Sequence, residues 1–193
     1  STPGAGAGIE VHGQGALTLR RATPEEAGKF DVHVFMKDAL QVVMDRGESR
    51  QIEIDGSALD VWLRKLPSNS ATRGVESDSL RLHKARIAGT VRGRGTEFAF
   101  GAPEVEIERI HDFAGLLVRD KASLRGPAAV LWNRTSVDGK NIRSYAIDAH
   151  DELVLDRTAS PLSDSAVTAR GSVVVRAMTG SGATTDEIKG ESV

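Results

Sequence analysis

The residue types most able to do chemistry are concentrated in the segment Asp148-Ala149-His150-Asp151-Glu152. If this segment is an extended strand, Asp148, His150 and Glu152 point to one face, because alternate side chains of a strand share a face. Two carboxylates and an imidazole on one face suit a divalent metal ion with open coordination positions. The alternative interpretation is a solvated strand end. The sequence therefore gives these three residues as a candidate metal site.

The second candidate site is the most basic stretch of the chain, around the turn Arg92-Gly93-Arg94-Gly95. Glycine lets the backbone approach a phosphate, and an arginine guanidinium can bind one bidentately. The stretch lacks the spacing of a glycine-rich phosphate loop, so a hairpin turn with solvated arginines is the alternative. The predicted anion or nucleic-acid contacts are Arg81, Lys84, Arg86, Arg92 and Arg94.

Two further groups of titratable residues have the types required for acid–base catalysis. Glu104, Glu106 and Glu108 form an acidic row that could do acid–base work only if burial separates their pKa values. An exposed strand face explains that row more simply. His111-Asp112 offers a base and an orienting carboxylate, but adjacent strand residues point to opposite faces. No catalytic residue is therefore predicted.

The elements that must position these side chains are mainly strands. Apolar and polar residues alternate over residues 30–36 and 104–110. Asp138-Gly139, between residues 128–137 and 140–147, is a strong hairpin signal. Residues 38–55 fit either a short helix or a hairpin, and strict alternation over residues 51–55 favours the hairpin.

Residues 57–66 are predicted to form one short amphipathic helix. Ser57 is a suitable cap, and Pro67 marks the end. Leu59, Trp62, Leu63 and Leu66 follow the spacing of an apolar helical stripe.

The predicted fold class is mainly β: an antiparallel β-sandwich or jelly-roll-like domain with this one helix, or alternatively a closed β-barrel. The domain spans residues 9–178. A flexible N-terminal arm covers residues 1–8, and a polar C-terminal arm covers residues 179–193. Neither arm carries enough apolar surface to offset its ordering entropy, so we expect both to be disordered in an isolated monomer and ordered by another copy.

Composition limits the classes of function. The chain has 193 residues, a net charge of −2 and no cysteine. The absence of cysteine excludes disulfides and thiolate sites. The near-neutral charge gives weak support for nucleic-acid binding. No apolar run approaches the roughly 18 residues needed to cross a membrane, so no membrane partner is predicted.

These observations favour a non-enzymatic structural protein that forms a homo-oligomer through its N- and C-terminal arms, such as a viral or phage coat, shell, tail or decoration component. It would then be located in the virion, and otherwise in the cytoplasm. No cofactor is predicted. The alternative is a small ligand- or metal-binding β-barrel enzyme centred on Asp148, His150 and Glu152.

Overall fold

The computed structural model describes residues 9–44, 52–66, 79–95, 98–111, 117–135, 142–158, 165–179 and 184–192. These residues form twelve β-strands in one antiparallel sheet. The predicted mainly-β fold class is therefore confirmed. The described ranges contain no helix, and so none long and apolar enough to cross a membrane.

The strands follow one another along the chain, and most are long. The first six are β1 (Ile9–Gly13), β2 (Leu17–Arg21), β3 (Val32–Met44), β4 (Ile52–Leu66), β5 (Ser79–Arg94) and β6 (Phe98–His111). The other six are β7 (Leu117–Arg125), β8 (Ala128–Thr135), β9 (Ile142–Ala149), β10 (Glu152–Thr158), β11 (Ser165–Thr179) and β12 (Thr184–Ser192).

Six strands pair in a closed ring with the order β6-β7-β10-β11-β9-β8, and β8 pairs with β6. The closed barrel of the alternative prediction is therefore present in the pairing pattern, with the other strands outside it. The ring closes because β7 and β8 lie end to end along β6, while β10 and β9 lie end to end along β11. In the same way, β1 and β2 lie end to end along β3.

An irregularity crosses the sheet at one level, which we call the crease. At this level the pairing register shifts in strands β3, β4, β5 and β11. At the same level, two residues separate the end of β7 from the start of β8, and two separate the end of β9 from the start of β10. Bulges of this kind bend a strand and increase its twist. Several residues at the crease have positive φ: Asp38, Gly89, Thr90, Gly126 and Gly171.

The hydrophobic core lies on one face of the sheet, on both sides of the crease. Leu153 is 0% exposed and Val173 is 1% exposed. Because the sheet is the only layer among the described residues, it must fold over this inner face to bury them. Each long strand, or each pair of strands lying end to end, contributes at least one buried residue on each side of the crease: Met36 and Leu40, Ile54 and Leu59, Ile87 and Val91, Ala102 and Val105, Leu124 and Ala128, Ala149 and Leu153, and Ala169 and Val173.

The predicted helix over residues 57–66 is wrong, because these residues belong to strand β4. Leu59 faces the core, and Val61 packs against it. Trp62 lies on the opposite, outer face and stacks on His33. Because both faces of β4 carry apolar side chains here, the sequence imitates the spacing of a helical stripe.

The hairpin preferred for residues 38–55 is confirmed over the described part, where Met44 of β3 pairs with Ile52 of β4. At the other end of the chain, β12 lies within the predicted C-terminal arm. It pairs with β11 of the same chain, so this stretch is ordered without a second copy. The N-terminal arm, residues 1–8, and the turn Asp138-Gly139 lie outside the described residues.

Candidate functional site

The three predicted metal ligands lie where β9 meets β10 at the crease. Asp148 Oδ2 lies 2.6 Å from Nη1 of Arg176, and Glu152 Oε2 lies 3.7 Å from Nη1 of Arg170. His150 Nδ1 lies 2.7 Å from Oδ1 of Asp151. Both carboxylates therefore already have a cationic partner. Within the described ranges, no three His, Asp or Glu side chains are grouped closely enough to hold a metal ion. A site there stays a prediction, and binding would require these ion pairs to rearrange.

A shallow groove of about 600 Å³ follows the crease and contains members of both predicted sites. Arg92 contributes to its wall, as do Asp148 and His150, whereas Glu152 is not among its lining residues. Small and apolar residues make up most of the rest, including Gly101, Ala102, Pro103, Pro127, Ala128 and Ala149. The groove thus combines an apolar lining with one arginine and one carboxylate, which is the general composition of a small-ligand site.

The five predicted anion contacts do not form one basic surface. Lys84 Nζ lies 2.9 Å from Oε2 of Glu106, and Arg86 is paired with Glu104. Arg94 Nε donates to Oε2 of Glu53 over 2.7 Å. These three cations are neutralised by carboxylates on neighbouring strands. Arg92 is exposed and lines the groove.

Arg81, the fifth predicted contact, lies at the far end of β5. It is directly opposite Arg64 of β4, and the two residues line a small cavity of about 50 Å³ with His83 and His111. Burial lowers the pKa of His111, and the charges of Arg81 and Arg109 lower it further. Like charges directly opposite on neighbouring strands are unfavourable. Burial and the charges of Arg81 and Arg109 therefore both favour the neutral form of His111.

The acidic row Glu104, Glu106 and Glu108 lies on β6 of the outer face. Arg125 reaches both Glu104 and Glu106, at 3.6 and 3.5 Å. Together with Lys84 and Arg86, it turns the row into a ladder of alternating charges across three strands. Cross-strand pairs of opposite charge stabilise a sheet modestly. The structure thus provides a stabilising role for the row. Asp112, the proposed partner of His111, lies outside the described residues.

An aromatic cluster on the outer face was not found from the sequence. The His33 ring stacks on Trp62 with centroids 4.9 Å apart, and it lies 5.6 Å from the ring of Phe35. The turn over residues 24–29 precedes Phe30, which packs edge-on against His33. Only 9% of His33 is exposed. Alternation of apolar and polar residues over residues 30–36 indicates a strand with one buried face. It does not indicate that aromatic rings also cover His33 on the outer face.

The edge strands carry exposed aliphatic side chains that sequence reasoning also missed. Leu17 and Leu19 on β2 are 59% and 65% exposed, and Ile188 on β12 is 63% exposed. Among the described strands, β2 pairs only with β3 and β12 only with β11. Each therefore has a free edge of backbone donors and acceptors. Free edge strands are templates for pairing with another chain, and the charged side chains that β12 also carries restrict which strand can pair with it.

No protein-family model, curated protein or solved structure matches this chain.

Proposed function

We propose that the protein is a non-enzymatic structural protein that self-associates into a homo-oligomeric assembly, as a coat, shell, tail or decoration component of a virus or phage does. The supporting observation is the pair of free sheet edges with large exposed aliphatic side chains. An exposed aliphatic side chain on a strand with an unpaired edge favours pairing or packing with another chain.

The open ends of the folded sheet support the same proposal. The strand pairings place Leu17, Leu80 and Leu155 on the inner face, on the same side as the buried core, and Leu80 lies there because a register shift between Lys84 and Leu82 changes the alternation of β5. These three leucines are 59%, 46% and 36% exposed, because they lie further from the crease than the core residues. Trp132 is 50% exposed at the other open end. Further copies of the chain would remove this surface from water, which contributes about 25 cal/mol per Å² buried.

The proposal is tested by the solution mass of the full chain, measured by light scattering over a range of concentrations, with negative-stain images. A uniform particle or a defined oligomer is expected. A variant lacking residues 179–193 removes β12 and should have a lower mass while keeping its β circular-dichroism spectrum. A full chain that stays monomeric at all concentrations would exclude self-assembly.

A ligand- or metal-binding site at the crease is the second candidate function, favoured by the groove that joins Arg92 to Asp148 and His150. Calorimetric titration with Zn²⁺, Mn²⁺ and inorganic phosphate would test it. If the site is real, His150→Ala should abolish metal binding, and Arg92→Ala should abolish phosphate binding. His12→Ala is a matched control, because His12 is an exposed histidine on β1 that does not line the groove. An absence of heat with all three probes would remove this candidate.

A further inference from the structure

The free edge of β12 has a charge pattern that matches a second copy of itself. We propose that two copies of this chain join by antiparallel pairing of β12 with β12, centred on Ile188. This inference rests on the proposed self-association and specifies one of its contacts. The partner is a second copy of the chain, related by a two-fold axis perpendicular to the sheet, so the contact uses the same strand on both sides.

The two faces of β12 are set by its pairing with β11. Ile188 is opposite Val175, which packs against the core, so Ile188 lies on the inner face. Glu187 is opposite Arg176, and its Oε2 accepts from Arg176 Nε over 2.8 Å on the outer face. Lys189 shares that face, with its Nζ 2.7 Å from Oε1 of Glu187. The apolar and charged residues of the edge are thus on opposite sides.

Pairing centred on Ile188 makes both faces complementary. On the inner face, Ile188 is directly opposite Ile188 of the partner subunit, so two exposed aliphatic side chains cover each other. On the outer face, Glu187 is opposite Lys189 of the partner subunit, and symmetry repeats that pair. Aliphatic and opposite-charge cross-strand pairs are both favourable.

Registers shifted by one residue in either direction are unfavourable. A shift of the centre to residue 187 places Glu187 opposite the partner's Glu187. A shift to residue 189 places Lys189 opposite the partner's Lys189, and Glu187 opposite the partner's Glu191. A centre between two residues brings the apolar face of one copy onto the charged face of the other. A centre at Gly190 places Lys189 opposite the partner's Glu191, but it pairs only residues 188–192 and leaves Ile188 opposite a serine. The register centred on Ile188 is therefore the one that pairs the whole strand without repulsion and also covers Ile188.

The pairing also extends a charge network already present in one chain. Asp148 contacts Arg176 over 2.6 Å, Arg176 contacts Glu187, and Glu187 contacts Lys189. Hydrogen bonds from Lys189 and Arg176 lower the pKa of Glu187, so its carboxylate is charged at neutral pH. In the dimer, Lys189 of the partner subunit continues this alternation across the two-fold axis.

The test uses two charge-reversed variants of the full chain, Lys189→Glu and Glu187→Lys. The first places glutamates opposite glutamates in the homodimer, and the second places lysines opposite lysines. Each variant alone should therefore dimerise at least about 10-fold more weakly than the natural chain. An equimolar mixture should recover dimers, because every position then meets the opposite charge. Sedimentation equilibrium measures the dissociation constants, and circular dichroism confirms that each variant folds.

The outcomes separate this inference from the general proposal. Recovery of dimers only in the mixture supports pairing at Ile188. A natural chain that oligomerises with both variants unchanged overturns the β12 contact and leaves self-association through other surfaces. Variants that are weakened but not restored by mixing also overturn the register. A natural chain that is monomeric overturns both proposals.

Discussion

The Nε2 atom of His33 lies 2.9 Å from Oδ1 of Asp60, on a face where most polar groups are solvated. The other ring nitrogen, Nδ1, is buried and has no hydrogen-bond partner among the described residues. An ionised carboxylate only accepts, so Nε2 is the donor in this pair. Asp60 therefore accepts the hydrogen bond from Nε2 of a ring that stacks on Trp62 and Phe35.

Removing that acceptor should destabilise the fold. Asp60→Ala leaves the buried Nε2–H without a partner, which costs about 1–3 kcal/mol. Urea denaturation measures the loss. In a His33→Phe background, which keeps an aromatic ring and removes both nitrogens, Asp60→Ala should have little effect. An equal loss in both backgrounds would show that the hydrogen bond is unimportant.

The crease predicts different responses at two glycines with the same φ. Gly89 and Gly28 both have φ of +86°. A Cβ at Gly89 would lie 1.7 Å from Oγ of Ser57, whereas a Cβ at Gly28 would meet nothing within 4 Å. Both substitutions by alanine carry the backbone strain, but only Gly89→Ala adds a clash.

We therefore expect Gly89→Ala to lower the free energy of unfolding by about 1–3 kcal/mol more than Gly28→Ala does. Thermal and urea denaturation of the two variants give the comparison. Because Ser57 supplies the clashing atom, Ser57→Gly should relieve part of the effect in the Gly89→Ala chain. Equal destabilisation by the two alanine variants would mean that the crease tolerates displacement of β4 from β5.

Burial should decide the effect of truncating leucines along one face of β10. Leu153 is 0% exposed beside the crease, and Leu155 is 36% exposed two residues further away. Leu153→Ala should cost about 2–5 kcal/mol, because it leaves a cavity in the core. Leu155→Ala should cost less in a monomer. If the open end is covered in an assembly, Leu155→Ala should instead weaken association, which light scattering would detect.

The turn before β3 should make stability depend on pH. Hydrogen bonds from Arg20 and from the backbone N–H of Thr23 lower the pKa of Glu26 from 4.5 to about 2. Because the folded pKa lies below the unfolded one, Glu26 stabilises the fold above pH 4.5, and this contribution is lost as the pH falls towards 2.

Denaturation of the natural chain and Glu26→Gln across this pH range tests that sign. The stability difference between them should be largest near neutral pH and should shrink below pH 4.5. Glu25→Gln makes the same change of charge one residue earlier and serves as the control. A difference that stayed constant down to pH 2 would show that the carboxylate of Glu26 is not the titrating group.

Much of the strand structure could be predicted from the sequence, because apolar and polar residues alternate in segments such as residues 104–110. This alternation indicates a strand that buries one face. The helix at residues 57–66 could not be excluded, since Trp62 packs on His33 of the neighbouring strand, a contact that depends on the pairing of β3 with β4. The crease could not be predicted, because the position of a bulge depends on which residues of neighbouring strands pair with each other. Gly89, Gly126 and Gly171 were its available signals.

The candidate sites were harder to predict for a similar reason. The sequence places Lys84 and Glu106 on separate strands, but it does not give the pairing register of those strands. The register decides whether the two side chains form an ion pair with each other or stay available to a ligand. The exposed edge at Ile188 is also a property of strand order. That order could not be derived from residues 184–192, whose polar composition resembles that of an unstructured tail.

The pairing pattern also has a consequence for how the chain reaches its native state. When described strands lying end to end are taken as one bent arm, the pairings among them join each arm only to the arms next to it in sequence. The contacts are therefore local for an all-β protein, and local contacts favour rapid folding. Any hairpin can act as a nucleus, and further arms can then add one at a time. Each of the two outermost arms has a neighbouring arm on one side only, so we expect these arms to open before the others.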